Sequence, residues 1–295
     1  MNAKQFDCIR NRKGFIAALD QSGGSTPKAL MNYGIDKSRY HDEEEMYDLI
    51  QQMRSRIITS PAFTSEHILA AILFEKTMDR KIGEFYTADY LWDKKGIVPI
   101  LKVDKGLAEF KDGVQMMKPI PGLDDLLKRA GDRHIFGTKM RSVIHEADKN
   151  GIRAIVDQQF EIGQRIADAG FVPILEPEVD IHSTEKKECE QLMLEEIKSH
   201  ISKLGPTTKI MFKVSIPTVA GLYSELMKDP SVVRVVALSG GYGRQEADSL
   251  LKRNPGLIAS FSRALLSDLS DGQTQAEFDA ALAKAIKEIY DASIE

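Results

Sequence analysis

Eight short apolar runs alternate with stretches of helical periodicity, and that alternation constrains the fold more than any other feature of the chain. The first four runs are FIAALD (Phe15 to Asp20), ILAAILF (Ile68 to Phe74), GIVPILKVDKG (Gly96 to Gly106) and HIFGTKMR (His134 to Arg141). The last four are FVPILEPEV (Phe171 to Val179), KIMFKVSIP (Lys209 to Pro217), SVVRVVALSGGYG (Ser231 to Gly243) and GLIASFSRALL (Gly256 to Leu266). Between them apolar residues fall at helical spacing, as Met46, Leu49, Ile50, Met53 and Ile57 do behind the acidic start Glu43-Glu44-Glu45. Further helices are predicted over about Leu123 to Ala130, Arg153 to Ala169 (stopped by Gly170), Thr184 to Leu204, Thr218 to Met227 and Arg244 to Lys252. A last one covers Gln275 to Ile289, with Phe278, Ala281, Leu282, Ala285 and Ile289 on one stripe. Strands joined through helices lie parallel and are covered on both faces. Eight such units predict an α/β fold, a closed (β/α)8 barrel.

A length of 295 residues fits either two domains or one such barrel. No linker, low-complexity tract or repeat breaks the chain, so the expectation is a single domain over residues 1–295 with helical extensions at both ends. With Lys+Arg at 40 against Asp+Glu at 44 and a net charge of -4, the basic footprint of a nucleic-acid binder is missing. No apolar run approaches the roughly 20 residues of a membrane span, and MNAKQFDCIRNRKG has no signal-peptide core. Cys8 and Cys189 form no C-x-x-C motif and read as plain thiols, which with the other features points to the cytoplasm. The 6 histidines lack metal-binding spacing, so a histidine-built metal site is not expected.

The informative residues stand where the strands end. Period-two counting puts Val98, Ile100 and Lys102 on one face of the third run, and Lys139 and Arg141 share a parity in the fourth. Asp20, Glu176 and Lys213 end other apolar runs in the same way. In a (β/α)8 barrel these C-terminal strand ends converge on one rim, where active sites are built. Such a ring is either an ion-pair network closing the barrel mouth or a catalytic pocket. For the pocket the chemistry is specific. A lysine among cations such as Lys139 and Lys102 is pushed toward its neutral form and attacks a ketone to form an imine, while Glu176 and Asp20 move the protons.

Phosphate is commonly held after the last two barrel strands. Here those places carry Ser239-Gly240-Gly241, whose N–H groups open a helix, and Ser262-Arg263, whose guanidinium suits a phosphate. Lys102 and Arg141 offer a second anionic subsite, and Ser22 to Ser25 either joins a subsite or only turns the chain.

Taken together, IAALDQSGGS, GIVPILKVDKG, TKMR, VPILEPEV, FKVSIP, LSGG and SFSRAL resemble the class I, Schiff-base fructose-bisphosphate aldolases, in the same order over about Gly14 to Leu266. The resemblance implies a metal-independent, cofactor-free enzyme of glycolysis and gluconeogenesis. In it Lys213 attacks the C2 ketone of fructose 1,6-bisphosphate, and Glu176 manages the imine protons with help from Lys139 and Glu178. Asp20 takes the C4 hydroxyl proton as the C3–C4 bond breaks, giving glyceraldehyde 3-phosphate and dihydroxyacetone phosphate. The C1 phosphate is assigned to the positions of Ser239, Gly240, Gly241 and Arg263, and the other phosphate and the sugar hydroxyls to Lys102, Arg141 and Ser25. This chain departs from the animal enzymes at Gln21 (a glutamate there), Met140 (a tryptophan) and Ser262 (a glycine). It also ends at YDASIE, short of the animal arm whose tyrosine aids proton exchange at C3, as in a short bacterial type. A homo-oligomer remains open. The competing readings are another Schiff-base sugar-phosphate aldolase or transaldolase, and a barrel kept as a binding or scaffold protein.

Overall fold

The computed structural model describes residues 2–295. Its main sheet contains eight parallel strands: β1 Phe15–Leu19, β2 Ile68–Leu73, β3 Val98–Lys102, β4 Gly137–Ile144, β5 Val172–Val179, β6 Ile210–Ser215, β7 Val232–Leu238 and β8 Ile258–Ala259. They pair in chain order, and Ala18 N donates to Phe261 O at 3.1 Å across the seam between the first and last strands. The sheet is therefore a (β/α)8 barrel, as the alternation of runs predicts. Helices α1 Ala3–Asn11, α2 Ser25–Asn32, α3 Glu43–Thr59, α4 Thr87–Lys95 and α5 Leu123–Gly131 precede α6 Lys149–Asp168, α7 Lys186–Ile201, α8 Arg244–Lys252 and α9 Gln275–Ile294. Among the described residues no helix is long and apolar enough to cross a membrane.

Strand alternation sorts the apolar residues into two cores. Ile16, Ala18, Ala70, Ile72, Val98, Ile100, Val172, Ile174, Met211, Val236 and Ile258 fill the barrel interior. Phe15, Ala17, Leu19, Leu73, Leu101, Leu175, Phe212 and Val235 face outward against the helices. Each large side chain so buried contributes about 1.5–3 kcal/mol. Cys8 and Ile9 of α1 join the interior cluster and plug its N-terminal end. Arg234 of β7 pins the plug there, donating to the carbonyls of Ile9, Arg10 and Arg12 at 2.8–3.0 Å and so satisfying acceptors that a helix end leaves free.

One glycine is required by close packing. A Cβ on Gly137 would lie 2.1 Å from the Val172 carbonyl oxygen, so only glycine lets β4 lie this close to β5.

The acidic start of α3 is a capped helix end: Asp42 accepts from Glu45 N, and Glu43, Glu44 and Glu45 stay exposed. Met46, Ile50, Met53 and Ile57 are buried as the stripe predicts. The final helix carries a capping box of Thr274 and Glu277 and buries Phe278, Leu282, Ala285 and Ile289, running on to Ile294. One expectation fails. Thr218 to Met227 forms turns and only a 3-10 helix at Leu226–Lys228: Leu222 N donates to Val219 O and Ser224 N to Gly221 O in tight i→i+3 turns, while Glu190 and Asn254 side chains hold Thr218 N and Gly221 N. The eighth strand is two residues long, since after Ala259 the chain turns into a short helix at Arg263–Leu266.

Candidate active site

Continued past the apolar layers, the inward parity of β1, β3, β4, β5 and β6 delivers charged side chains to the C-terminal mouth. Ile16 and Ala18 lead to Asp20, and Val98 and Ile100 lead to Lys102. Gly137 leads to Lys139 and Arg141, Ile174 to Glu176 and Glu178, and Met211 to Lys213. Register completes the placement: Lys102 lies opposite Lys139, and Arg141 opposite Glu176.

Four of these groups form one buried array. Lys139 Nζ lies 2.7 Å from Asp20 Oδ2 and 2.7 Å from Glu176 Oε2, while Lys213 Nζ lies 3.0 Å from Glu176 Oε1. Lys139 and Lys213 are only 3% and 4% exposed. Burial works against charge on Asp20, yet Lys139, Lys213 and Lys102 outweigh it and hold the carboxyl well below the usual range. Burial likewise opposes charge on Glu176, and Lys139, Lys213 and Arg141 overcome both burial and the repulsion of Asp20 to depress it. Lys139 is raised: burial disfavours its ammonium, but Asp20, Glu176 and Asp104 favour it more strongly. The expectation that cations surround Lys213 is thus modified. Lys139 is a cation committed to two carboxylates, and the ion-pair partner of Lys213 is Glu176.

A second tier lies beside the array. Arg141 Nε donates to Glu178 Oε2 at 2.5 Å, and burial of the guanidinium is outweighed by Glu178, Glu176 and Asp104, which raise its pKa. Lys102 Nζ lies 2.7 Å from Asp104 Oδ1.

All of these residues line one cavity of 840 Å³, which also reaches Ser25, Ser239, Gly240, Ser262 and Arg263. After β7, Gly240 has φ +62°, and a Cβ there would lie 2.5 Å from Ile181 Cγ2, so the loop needs glycine to bring its backbone to the mouth. Gly241 lies alongside, its Cβ position 3.7 Å from Arg263 Nη2. Arg263 is exposed and Ser239 is buried. Ser25 is exposed, and its hydroxyl accepts from Ser22 N and donates to Ser22 O, so it turns the chain as well as lining the cavity. The cavity therefore has a buried, ion-paired floor, a cationic side at β3 and β4, and a glycine-arginine side at β7 and β8, across the ring.

Residues 3–216 match the model of the family described as fructose-bisphosphate aldolase class-I. Fructose-bisphosphate aldolase class 1 of Clostridium acetobutylicum is 60% identical over 294 residues, spanning 100% of both chains. The chain belongs to the class I fructose-bisphosphate aldolase family. In fold it resembles the fructose-bisphosphate aldolase of Plasmodium falciparum, with a TM-score of 0.77 at 19% identity over 99% of this chain and 94% of that one. A Corynebacterium glutamicum protein shares the architecture more distantly, with a TM-score of 0.59 at 13% identity over 98% of this chain and 92% of that one.

The cavity and the shell behind it also hold residues that the strand ends alone do not reveal. Asp104 is buried and accepts from Lys102, Gly106 N and Arg141 N. Its signal was available, since it continues the parity of Val98, Ile100 and Lys102. Arg54 is fully buried in α3 and donates to the Gln21 carbonyl. It breaks the apolar spacing of Ile50, Met53 and Ile57, a lone cation on a core-facing stripe. Tyr290 packs edge-on against His67, ring centroids 4.6 Å apart, beside the start of β2 and therefore at the barrel end opposite the cavity.

Proposed function

We propose that this aldolase cleaves fructose 1,6-bisphosphate reversibly through a Schiff base on Lys213. Class I aldolases act on sugar phosphates through a Schiff-base lysine and without a metal. The observation that carries the assignment to Lys213 is the carboxylate of Glu176, one oxygen on Lys213 and the other on Lys139. Proton transfer between Lys213 and Glu176 needs no further approach at 3.0 Å. Lys213 Nζ, once deprotonated, attacks the C2 ketone to give a carbinolamine. Glu176, having received a proton, returns it to the departing hydroxyl, so water leaves and the protonated imine forms. Asp20, ionised beside Lys139, takes the C4 hydroxyl proton. The C3–C4 electron pair flows into the imine, releasing glyceraldehyde 3-phosphate and leaving an enamine. Protonation at C3 and hydrolysis, which returns the water, then release dihydroxyacetone phosphate. Lys139 keeps both carboxylates ionised between steps, and Glu178 holds Arg141 toward the substrate.

The two sides of the cavity suit the two phosphates. Ser239, Gly240, Gly241 and Arg263 take the C1 phosphate, and Lys102, Arg141 and Ser25 take the C6 phosphate and the hydroxyls. Residues 1–295 act as one domain, the barrel with α1 and α9 as its extensions. The two free, buried thiols Cys8 and Cys189 suit a reducing cytoplasm, with glycolysis and gluconeogenesis as the setting. Borohydride reduction in the presence of dihydroxyacetone phosphate tests the central claim. Labelling of Lys213 supports it, and no labelled lysine, or label on a different one, overturns it.

A further inference from the structure

Arg54 lies fully buried in α3 with no ion-pair partner among the described residues. A buried guanidinium in that position is tolerated only where its N–H groups meet well-placed acceptors. The two Nη groups have specific acceptors here, while the buried Nε has none among the described residues. Nη1 donates to Thr77 Oγ1, and Nη2 donates to the Gln21 carbonyl at 2.6 Å and to Gln21 Oε1 at 3.2 Å. Because arginine only donates, the Gln21 amide oxygen must face Arg54 and the amide nitrogen must face away. That nitrogen donates to Ser262 Oγ at 2.7 Å.

The acceptor role of Ser262 has a consequence for its own proton. Its hydroxyl hydrogen has no acceptor among the described residues, and Ser262 lines the cavity immediately before Arg263. The contact also crosses the barrel seam, just above the Ala18-to-Phe261 backbone bond, and links the residue after Asp20 to the residue before Arg263. Gln21 and Ser262 thus touch each other across the seam.

We propose that Gln21, anchored by Arg54, is a positioning residue that holds the Ser262 hydroxyl as an additional donor to the substrate phosphate at Arg263. The proposal rests on the assignment of Arg263 to the C1 phosphate. A hydroxyl that already accepts from a polarised amide is a stronger donor, and its target is the most strongly accepting group of the substrate.

Steady-state kinetics of Ser262→Ala, Ser262→Thr, Gln21→Ala and the Gln21→Ala/Ser262→Ala pair test it, with fructose 1,6-bisphosphate and fructose 1-phosphate as substrates. Ser262→Ala raises KM for both substrates on the order of 10-fold, the loss of one hydrogen bond to a charged group, with the change in KM rather than kcat. Ser262→Thr, which keeps the hydroxyl, recovers most of the loss. Gln21→Ala raises KM comparably, and the double variant is no worse than either single one. An unchanged KM in Ser262→Ala, or single effects that multiply in the double variant, overturns the relay. Borohydride labelling of Lys213 in the wild-type enzyme separates this from failure of the Schiff-base reading: label retained with unchanged KM removes the relay alone.

Discussion

Asp20 and Glu176 are joined through a single ammonium, with Lys139 Nζ 2.7 Å from an oxygen of each. All three groups are buried. That ammonium is the largest of the cationic influences that hold both carboxylates ionised against burial, with Lys213 adding to each, and it leaves the other Glu176 oxygen to Lys213.

Lys139→Met removes that cation and leaves two buried carboxylates facing an apolar side chain. Breaking a buried ion pair costs about 3–5 kcal/mol, and misplacing the acid–base groups lowers kcat by at least ~100-fold. The pH dependence follows from the directions of the shifts. Both carboxyls are depressed in the folded enzyme, so the unfolded chain takes up protons first as pH falls. Their stabilisation is complete above about pH 4.5 and is lost as pH drops through the folded values. Lys139 is raised, so its share is complete below about pH 10 and is lost only at higher pH. Urea unfolding of both proteins across that range measures the difference. A gap between wild type and Lys139→Met that stays constant below about pH 4.5 counts against the array.

The two cationic sides of the cavity give distinguishable kinetics. Arg263→Ala raises KM about 10–100-fold for both fructose 1,6-bisphosphate and fructose 1-phosphate, because both carry the C1 phosphate. Lys102→Ala raises KM by about 10-fold for the bisphosphate while leaving fructose 1-phosphate within about 2-fold. Steady-state kinetics with the two substrates decides it, and equal sensitivity of both substrates to Lys102→Ala removes the C6 assignment.

Much of this site was legible because strand parity is rigid. Once Ile100 faces inward, Lys102 and Asp104 must follow, and the same count places Lys139, Glu176 and Lys213 at the mouth. What parity does not carry is the partner of each charge. Lys139 and Lys213 both find Glu176 because β4, β5 and β6 are adjacent and in register, a tertiary fact with no local trace. The loop after β6 departs from its sequence pattern for a related reason. Its apolar spacing mimics a helix, but the chain closes there in i→i+3 turns, Leu222 N on Val219 O and Ser224 N on Gly221 O, while Lys186 and Glu190 on α7 pin its entry at Ile216 and Thr218. Gln21 and Ser262 are 241 positions apart and meet only because the barrel closes.

The position of Tyr290 bears on proton exchange at C3. Its ring lies on His67 at the end of the barrel away from the cavity, so it has no path to the substrate. Tyr290→Phe leaves the wash-in of solvent deuterium at C3 of dihydroxyacetone phosphate within about 2-fold of wild type, an effect smaller than ~0.5 kcal/mol. Proton NMR of the substrate pool follows the exchange directly, and a large drop would mean that α9 leaves its place during turnover.

Asp248 on α8 is a buried carboxylate that the fold tolerates at a cost. Burial pushes its pKa up to about 6; Arg244 and Lys252 pull it down, while Glu288 pushes it further up. Its Oδ1 has no hydrogen-bond partner among the described residues. A carboxyl raised on folding binds its proton more tightly in the native state, so stability falls as pH rises from the unfolded value near 4 through about 6. Asp248→Asn keeps the shape and removes the charge. It stabilises the protein by about 1–2 kcal/mol at pH 7 and has little effect near pH 4, where the wild-type group is already protonated. Thermal melts at the two pH values measure this, and a variant that is less stable than wild type at pH 7 would show that the Asp248 charge is wanted by Arg244 after all.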